Sequence, residues 1–426
     1  MGELGIGLGL IIILAAAIIG GILAHRLKLP IILGYLVGGI VVGPYGFGFV
    51  GDSETVHVLA NIGVILLLFT LGLEFSIREL IRMGKVAILG GSIQILLTAS
   101  FGLALGRILG WELLEAVLFG FLIALSSTMI VLKTLLERGE LDTVHGRIMI
   151  GILLVQDLSI VPMMVILPAI GGGGGNLGLA LLIAAGKAAL FIGLMVVLGM
   201  WVLPWLLKLV VGERSRELFF LTVVTLILAT AFGTYFFGLS AALGAFVAGL
   251  LISQSPFARQ AFADIVPMRD VFVALFFISL GMLISPSFVA QNLATISLVV
   301  ASIILFKFLI CAFIPWFFGY SAKTMLFTGL GLVQIGEFSF VLAGLGKESG
   351  VISPYLYSLV IDSAVITMLL TPFTFMLASF IYRRLSQHEK LCLPSPGALT
   401  QIGGRGPLSY QVMLLSVVWD GLAQVW

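Results

Sequence analysis

Thirteen apolar stretches divide this 426-residue chain, and a soluble fold cannot be built around them. A stretch of roughly 20 apolar residues is long enough for a helix to cross a ~30 Å hydrocarbon core. The stretches fall at about 4–24, 29–44, 56–73, 85–109, 113–135, 147–170, 178–207, 218–236, 238–253, 271–285, 294–318, 324–346 and 354–382. The second, ninth and tenth are short, and the break between the eighth and ninth rests on Phe237-Gly238. Only 10% of the residues are charged, against roughly 25% in a soluble domain, too few to cover a surface in water. The expected fold is therefore an all-α polytopic membrane protein with 13 transmembrane helices over residues 1–382, followed by an irregular cytoplasmic tail at 383–426. A net charge of +2 gives no reason to expect nucleic acid as a partner. Cys311 and Cys392 form neither a disulfide framework nor a metal-ligand spacing, so no cofactor is expected. Glu3 stands where a cleavable signal would carry basic residues, and Ile6 stands where myristoylation needs Ser or Thr.

Loop charge gives a direction. Lys and Arg collect on the cytoplasmic side of a membrane. Eighteen lie in odd-numbered loops or after span thirteen, fourteen in the loops and four in the tail, while even-numbered loops hold only Arg107 and Lys347. The N-terminus is expected outside and the C-terminus inside, in the inner (plasma) membrane.

The chain also resembles itself at an offset near 210. Leu33-Gly34, Val37 and Gly39 recur as Leu243-Gly244, Val247 and Gly249; Leu71-Gly72 recurs as Leu280-Gly281, and Pro162 as Pro372. Spans one to six (about 4–170) then match eight to thirteen (about 218–382), with span seven (about 178–207) as a linker helix. Equivalent spans are seven apart, an odd number, so the two six-helix repeats must be inverted. Inverted repeats are typical of secondary transporters, whose substrate site lies near the midplane between the halves.

Ionisable groups at that depth are costly and point to function. Asp157 lies about 15 Å into span six at ~1.5 Å per residue, after Gln156 and before Pro162, which frees carbonyls nearby. Lys307 is equally central in span eleven, too deep to snorkel. Asp157 is its expected partner, because an ion pair keeps both groups charged at tolerable cost. Ser126-Ser127-Thr128 sits in the middle of span five. Its hydroxyls either bond back to carbonyls of the preceding turn or belong to an unwound stretch that offers oxygens to a dehydrated cation. Its repeat partner is span twelve, where Gly329, Gly331, Gln334, Gly336 and Glu337 interrupt an apolar run. Interrupted segments at corresponding positions of two halves point to a binding site. Gln334 and Glu337 are therefore secondary pathway candidates, as are Glu74 at the end of span three and Asp362 within span thirteen. Gly171–Gly175 reads as an external loop, without the ending of a phosphate-binding loop.

Several segments resemble a known family in this order: Gly34-Tyr35-Leu36 with Gly43-Pro44, Phe69 to Glu74, Ser126 to Thr128, Val155-Gln156-Asp157, Ala242 to Gly249, Leu275 to Met282, and Gly336 to Phe340. Over residues 1–382 the chain resembles the monovalent cation:proton antiporter-2 family, in its Kef-type potassium/proton branch. The resemblance implies a sodium/proton-antiporter-like fold with crossed discontinuous helices, here spans five and twelve. It also implies a dimer in which a core domain moves against a dimerisation domain, and a possible cytoplasmic regulatory subunit. By that match Asp157 carries the ion and the proton, and Lys307 is the basic residue opposite. Gln156 replaces the Asn or Asp of sodium/proton relatives, which favours potassium. No strand–GxGxxG–helix pattern follows span thirteen. The loop Arg259–Asp264 lacks the His-Ala-Leu-Glu of glutathione-gated relatives, so that control is not expected.

The expectation is a K+ (or Na+)/proton antiporter, not an enzyme, in which cation and proton compete for Asp157 by alternating access, one for one. A cation channel would need a continuous polar pore or a carbonyl filter, and neither is visible. A hydrolase built on Ser126, Asp157 and His145 would need a histidine that the sequence leaves in a cytoplasmic loop. A transport-inactive sensor is the remaining alternative, and a flux assay separates it.

Overall fold

The computed structural model describes residues 3–27, 29–50, 54–74, 85–171, 177–213, 215–237 and 239–387, and among them all regular structure is helical. The first seven helices are α1 (Glu3–Arg26), α2 (Ile31–Val42), α3 (Glu54–Glu74), α4 (Lys85–Ile108), α5 (Leu113–Ala124), α6 (Thr128–Glu137) and α7 (Val144–Gly171). A long helix, α8 (Leu177–Gly212), leads to α9 (Arg216–Gly233), a 3-10 turn (Thr234–Phe237), α10 (Ala241–Ser253) and α11 (Ala258–Met282). The chain then runs through α12 (Pro286–Gln291), α13 (Leu293–Phe317), α14 (Ala322–Gly331), α15 (Phe338–Glu348) and α16 (Pro354–Gln387). Among the described residues nine helices are long and apolar enough to cross a membrane, and three shorter apolar helices accompany them. The protein is a multi-pass membrane protein.

Helix boundaries depart from the hydropathy reading where charge and backbone chemistry compete with apolarity. Span ten was expected from 271, yet α11 begins at Ala258, because Arg259, Asp264 and Arg269 hide a helix from a hydropathy scan without breaking it. Asp264 accepts a 2.8 Å hydrogen bond from Arg216 Nε, which ties this polar section to α9. The fifth stretch is interrupted at 125–127 and the twelfth at 332–337. The last helix runs past the expected boundary at 382 to Gln387; residues 388–426, the expected tail, lie outside the described residues, as does most of the Gly171–Gly175 loop.

The helices gather into two groups. In one, α3 packs on α10 and α11, α2 on α1 and α11, and α10 on α9. In the other, α4 packs on α5, α7 and α13, while α14 packs on α13, α16 and α7, and α15 on α7. The packing of α7 on α8 joins them.

Glycines set the closest approaches of the first group. A Cβ on Gly249 would overlap the Phe69 carbonyl and lie 3.0 Å from the Cα of Gly72; one on Gly39 would overlap the Ile278 carbonyl and lie 3.0 Å from the Cα of Gly281. Small residues that let backbones touch are a main source of helix association where lipid competes equally for apolar side chains. Gly39 aligns with Gly249 and Gly281 with Gly72 at the offset read from the sequence, so the contact of α2 with α11 and that of α10 with α3 use residues at matching sequence positions. Gly249→Val should therefore lower the thermal midpoint of the detergent-purified protein, by an overpacking cost of about 3 kcal/mol. An unchanged midpoint would show that the two helices are not held at glycine distance.

Candidate functional site

The site is built where two interrupted helices lie against α7. The interruption between α5 and α6 begins at Leu125 (ψ 145°) and ends at Ser127, whose hydroxyl caps α6 by accepting from the backbone N–H of Ile130 at 3.3 Å. Ser and Thr side chains offer the backbone an alternative to helical bonding, which is why the chain leaves the helix here. The second interruption lies between α14 and α15 and holds Gln334, Gly336 and Glu337. The two interruptions touch. The Gly336 N–H donates to Leu125 O at 3.1 Å, and the Ser126 hydroxyl donates to Leu332 O at 2.9 Å. A Cβ on Gly336 would come within 2.6 Å of Ser126 O, so only glycine lets the backbones approach this closely.

Asp157 faces this junction from α7 and is 3% exposed. The Thr128 hydroxyl, on the first residue of α6, donates to its Oδ2 at 2.9 Å. No basic side chain is hydrogen-bonded to it among the described residues. The charged groups that act on it are carboxyls: Glu337, which is buried, and more weakly Glu74, exposed at the end of α3. The Glu337 carboxyl faces the Ser127 side chain and the Met129 backbone across the junction, and its Oε2 has no hydrogen-bond partner.

Lys307 departs from the expected pairing with Asp157. Its ammonium, fully buried on α13, donates to Leu125 O at 2.9 Å, Ser126 Oγ at 3.0 Å and Gln334 O at 2.8 Å. The reason is electrostatic. An interruption leaves the preceding half-helix with orphan carbonyls and the negative end of its dipole. Here two such ends, those of α5 and α14, converge, and one ammonium with three donors satisfies both.

Gln156 was expected among the ion ligands, but both ends of its amide are engaged by protein. Its Oε1 accepts from the Ser126 N–H at 2.8 Å, and its Nε2 donates to Gln94 Oε1 at 2.7 Å. Gln94, on α4, donates in turn to Ala124 O at 3.0 Å and Thr98 Oγ1 at 3.1 Å. Sequence reasoning that searched for charges did not single out Gln94 or Thr98; the available signal was a buried amide with a hydroxyl one turn later in an apolar stretch. Gln334 and Asp362 are buried as well. Neither nitrogen nor oxygen of the Gln334 amide has a partner, nor has Asp362 Oδ2.

His145 is not part of this constellation. It is buried in the first turn of α7, not in a loop, about 18 Å along the helix from Asp157 at ~1.5 Å per residue. Its Nε2 lies 3.3 Å from Glu140 Oε2 and 3.1 Å from Thr143 Oγ1. Burial alone would raise the Glu140 carboxyl, but hydrogen bonds from Arg138 and His145 hold it below its usual range. The Ser126–Asp157–His145 hydrolase arrangement is therefore not assembled.

Removing the ammonium should cost more stability than removing the acid's charge. Lys307→Met takes the hydrogen bond from Gln334 O and one of two from Leu125 O and from Ser126 Oγ, leaves the converging helix ends without a positive charge, and should lower stability by about 3 kcal/mol. Asp157→Asn keeps an oxygen for Thr128 and should unfold near the wild-type temperature. Equal thermal midpoints for Lys307→Met and wild type in detergent would contradict this role for Lys307.

The sodium/hydrogen exchanger transmembrane family matches residues 13–378. The chain is 39% identical over 372 residues to YbaL of Escherichia coli (strain K12), covering 85% of this chain and 67% of that one. It is 35% identical over 405 residues to K(+) efflux antiporter 4 of Arabidopsis thaliana, covering 94% of this chain and 68% of that one. It thus spans about two thirds of the length of either relative. Among solved structures, the sodium proton antiporter MjNhaP1 of Methanocaldococcus jannaschii at pH 8 superposes with a TM-score of 0.67 at 20% identity, covering 88% of this chain and 98% of that one, a likeness of fold. A buried acid beside two interrupted helices, in a chain matched over most of its length, thus belongs to the sodium/hydrogen exchanger family, in the Kef-type branch of potassium efflux antiporters.

Proposed function

We propose that this chain exchanges a monovalent cation, potassium first and sodium second, for protons at Asp157 by alternating access. One observation carries the reading. Among the described residues Asp157 is buried at mid-helix with no basic side chain hydrogen-bonded to it, while the ammonium of Lys307 is committed to the interrupted helices. A carboxylate in such a place needs a visiting positive charge, and a proton or a dehydrated cation can each supply it. Thr128, Ser126 and Ser127 lie on the interruption beside it and are assigned to the cation's oxygen shell. Gln156 is assigned to holding that segment.

The direction of charge compensation supports the same division of labour. Lys307 answers the negative ends of α5 and α14 permanently, so it need not leave when the cation arrives. Cation and proton then compete for a single carboxylate, and the simplest cycle is one for one and electroneutral. Glu337, Gln334, Glu74 and Asp362 are assigned to the route by which protons or water reach the site, since several of their polar atoms are buried without partners. The names of the K(+) efflux antiporters of Arabidopsis thaliana point to potassium.

The rest of the architecture is read in the same frame. Thirteen passages form two inverted repeats, with residues 1–382 as the transport domain. The fifth and twelfth passages cross at their interruptions, and α8 is the linker. The two helix groups would be the moving core and the dimerisation domain of a homodimer in the plasma membrane, with the N-terminus outside, the C-terminus inside and a cytoplasmic face open to a regulatory subunit. The central test is flux. In proteoliposomes of the wild-type protein, adding potassium should drive proton movement, and Asp157→Asn should reduce it to the background of empty vesicles. Retained exchange in the folded variant would remove Asp157 from the mechanism.

A further inference from the structure

We propose that Gln94 is a positioning residue for the ion site. It fixes the amide of Gln156 and, through that amide, the unwound segment that holds Ser126 and Thr128. The inference rests on the antiporter reading of the site and adds a residue that does not touch Asp157.

The hydrogen bonds form a closed ring. A backbone N–H can only donate and a backbone carbonyl can only accept, so the two backbone ends of the ring dictate every group between them. The Ser126 N–H requires an oxygen and takes Gln156 Oε1 at 2.8 Å. That choice turns the Gln156 nitrogen outward, where it requires an acceptor and takes Gln94 Oε1 at 2.7 Å. The Gln94 nitrogen is then directed at Ala124 O, at 3.0 Å, with Thr98 Oγ1 at 3.1 Å. Ala124 is the last residue of α5 and Ser126 lies two residues on, so the ring leaves the interruption and returns to it. Gln94, Thr98 and Gln156 are all 0% exposed, so the ring is sealed from bulk solvent.

The ring clamps the backbone from which the ion ligands project. Leu125, between its two backbone ends, gives its carbonyl to Lys307 and to the Gly336 N–H. Ser126 also bonds Lys307 through its hydroxyl, and Thr128, two residues on, bonds Asp157. Without Gln94 the Gln156 amide loses the partner that selects its orientation. The Ser126 N–H then faces an amide free to turn its nitrogen inward, and the segment loses its register against Asp157. Loose ligand geometry is paid for in binding more than in the rate of the conformational step, so the effect belongs in KM.

The experiment measures cation-dependent proton flux in proteoliposomes across a potassium titration, with sodium in parallel, on protein whose folding is checked by gel filtration and thermal unfolding. Gln94→Leu should raise KM by about tenfold, the consequence of one stranded buried hydrogen-bonding group, with the maximal rate within about threefold of wild type. Gln156→Leu should do the same, and the double variant should be no worse than the worse single, because both cut one ring. Gln94→Glu should recover KM on the acid side of the assay range, since a protonated carboxyl both accepts from Gln156 and donates to Ala124 O. Should Gln94→Leu fail to fold, Gln94→Met, of equal length, replaces it with the same expectation. An unchanged KM in the apolar variants, a loss confined to maximal rate, additive effects, or a Gln94→Glu variant no better than the apolar ones would each overturn the proposal. Absence of exchange in the wild type would instead overturn the antiporter reading, and this inference with it.

Discussion

One ammonium group holds the centre of this protein together. Two half-helices, α5 and α14, end inside the protein with their carbonyl ends converging, and each end would be untenable there alone. Lys307 donates to Leu125 O and Gln334 O, one from each interruption, and to Ser126 Oγ between them. The charge is tolerated because it is spread over three oxygens and two helix dipoles. Everything else at the site assumes that the interruptions stay open, and the open interruptions assume the lysine.

That commitment leaves Asp157 as the site's unanswered charge. Among the described residues its hydrogen bond comes from a neutral hydroxyl, Thr128, and the ionisable groups that act on it are carboxyls. A fixed Asp–Lys pair would satisfy the acid permanently and give nothing a reason to bind. In the proposed cycle, separating the two, with the lysine on backbone carbonyls and the acid on a hydroxyl, keeps the carboxylate available to a mobile cation. The Gln94–Gln156 ring serves the same end with neutral groups, fixing the backbone near Asp157 without compensating its charge.

The outer frame follows a different physics. In lipid, apolar side chains gain little by meeting each other, so helices bind where backbones can touch. The contacts of Gly39 with Gly281 and of Gly249 with Gly72 are such places, each a glycine backbone laid against another. Glycine serves there by having no side chain, whereas at Gly336 it serves by letting two interruptions meet.

The membrane class, most of the apolar helices, the family and the presence of Asp157, Lys307 and the Ser126–Ser127 segment in apolar surroundings were legible in the sequence. Hydrophobicity and the cost of burying charge are properties of each residue and need no fold to be read. The start of α11 was not legible, because a helix that leaves the apolar zone carries its charges in full view and looks like a loop. The partner of Lys307 was not legible either. Charge attracts charge on paper, but backbone carbonyls become competitors only once two helices are broken at one place. Gln94 was silent for a related reason: an amide has no charge to betray it, and its role exists only as a link between a carbonyl and an N–H two residues apart on another helix. Sequence alone thus determined which groups lipid would not accept, while tertiary structure decided how each was satisfied, because hydrogen bonds are directional and their partners are set by where backbones lie in space.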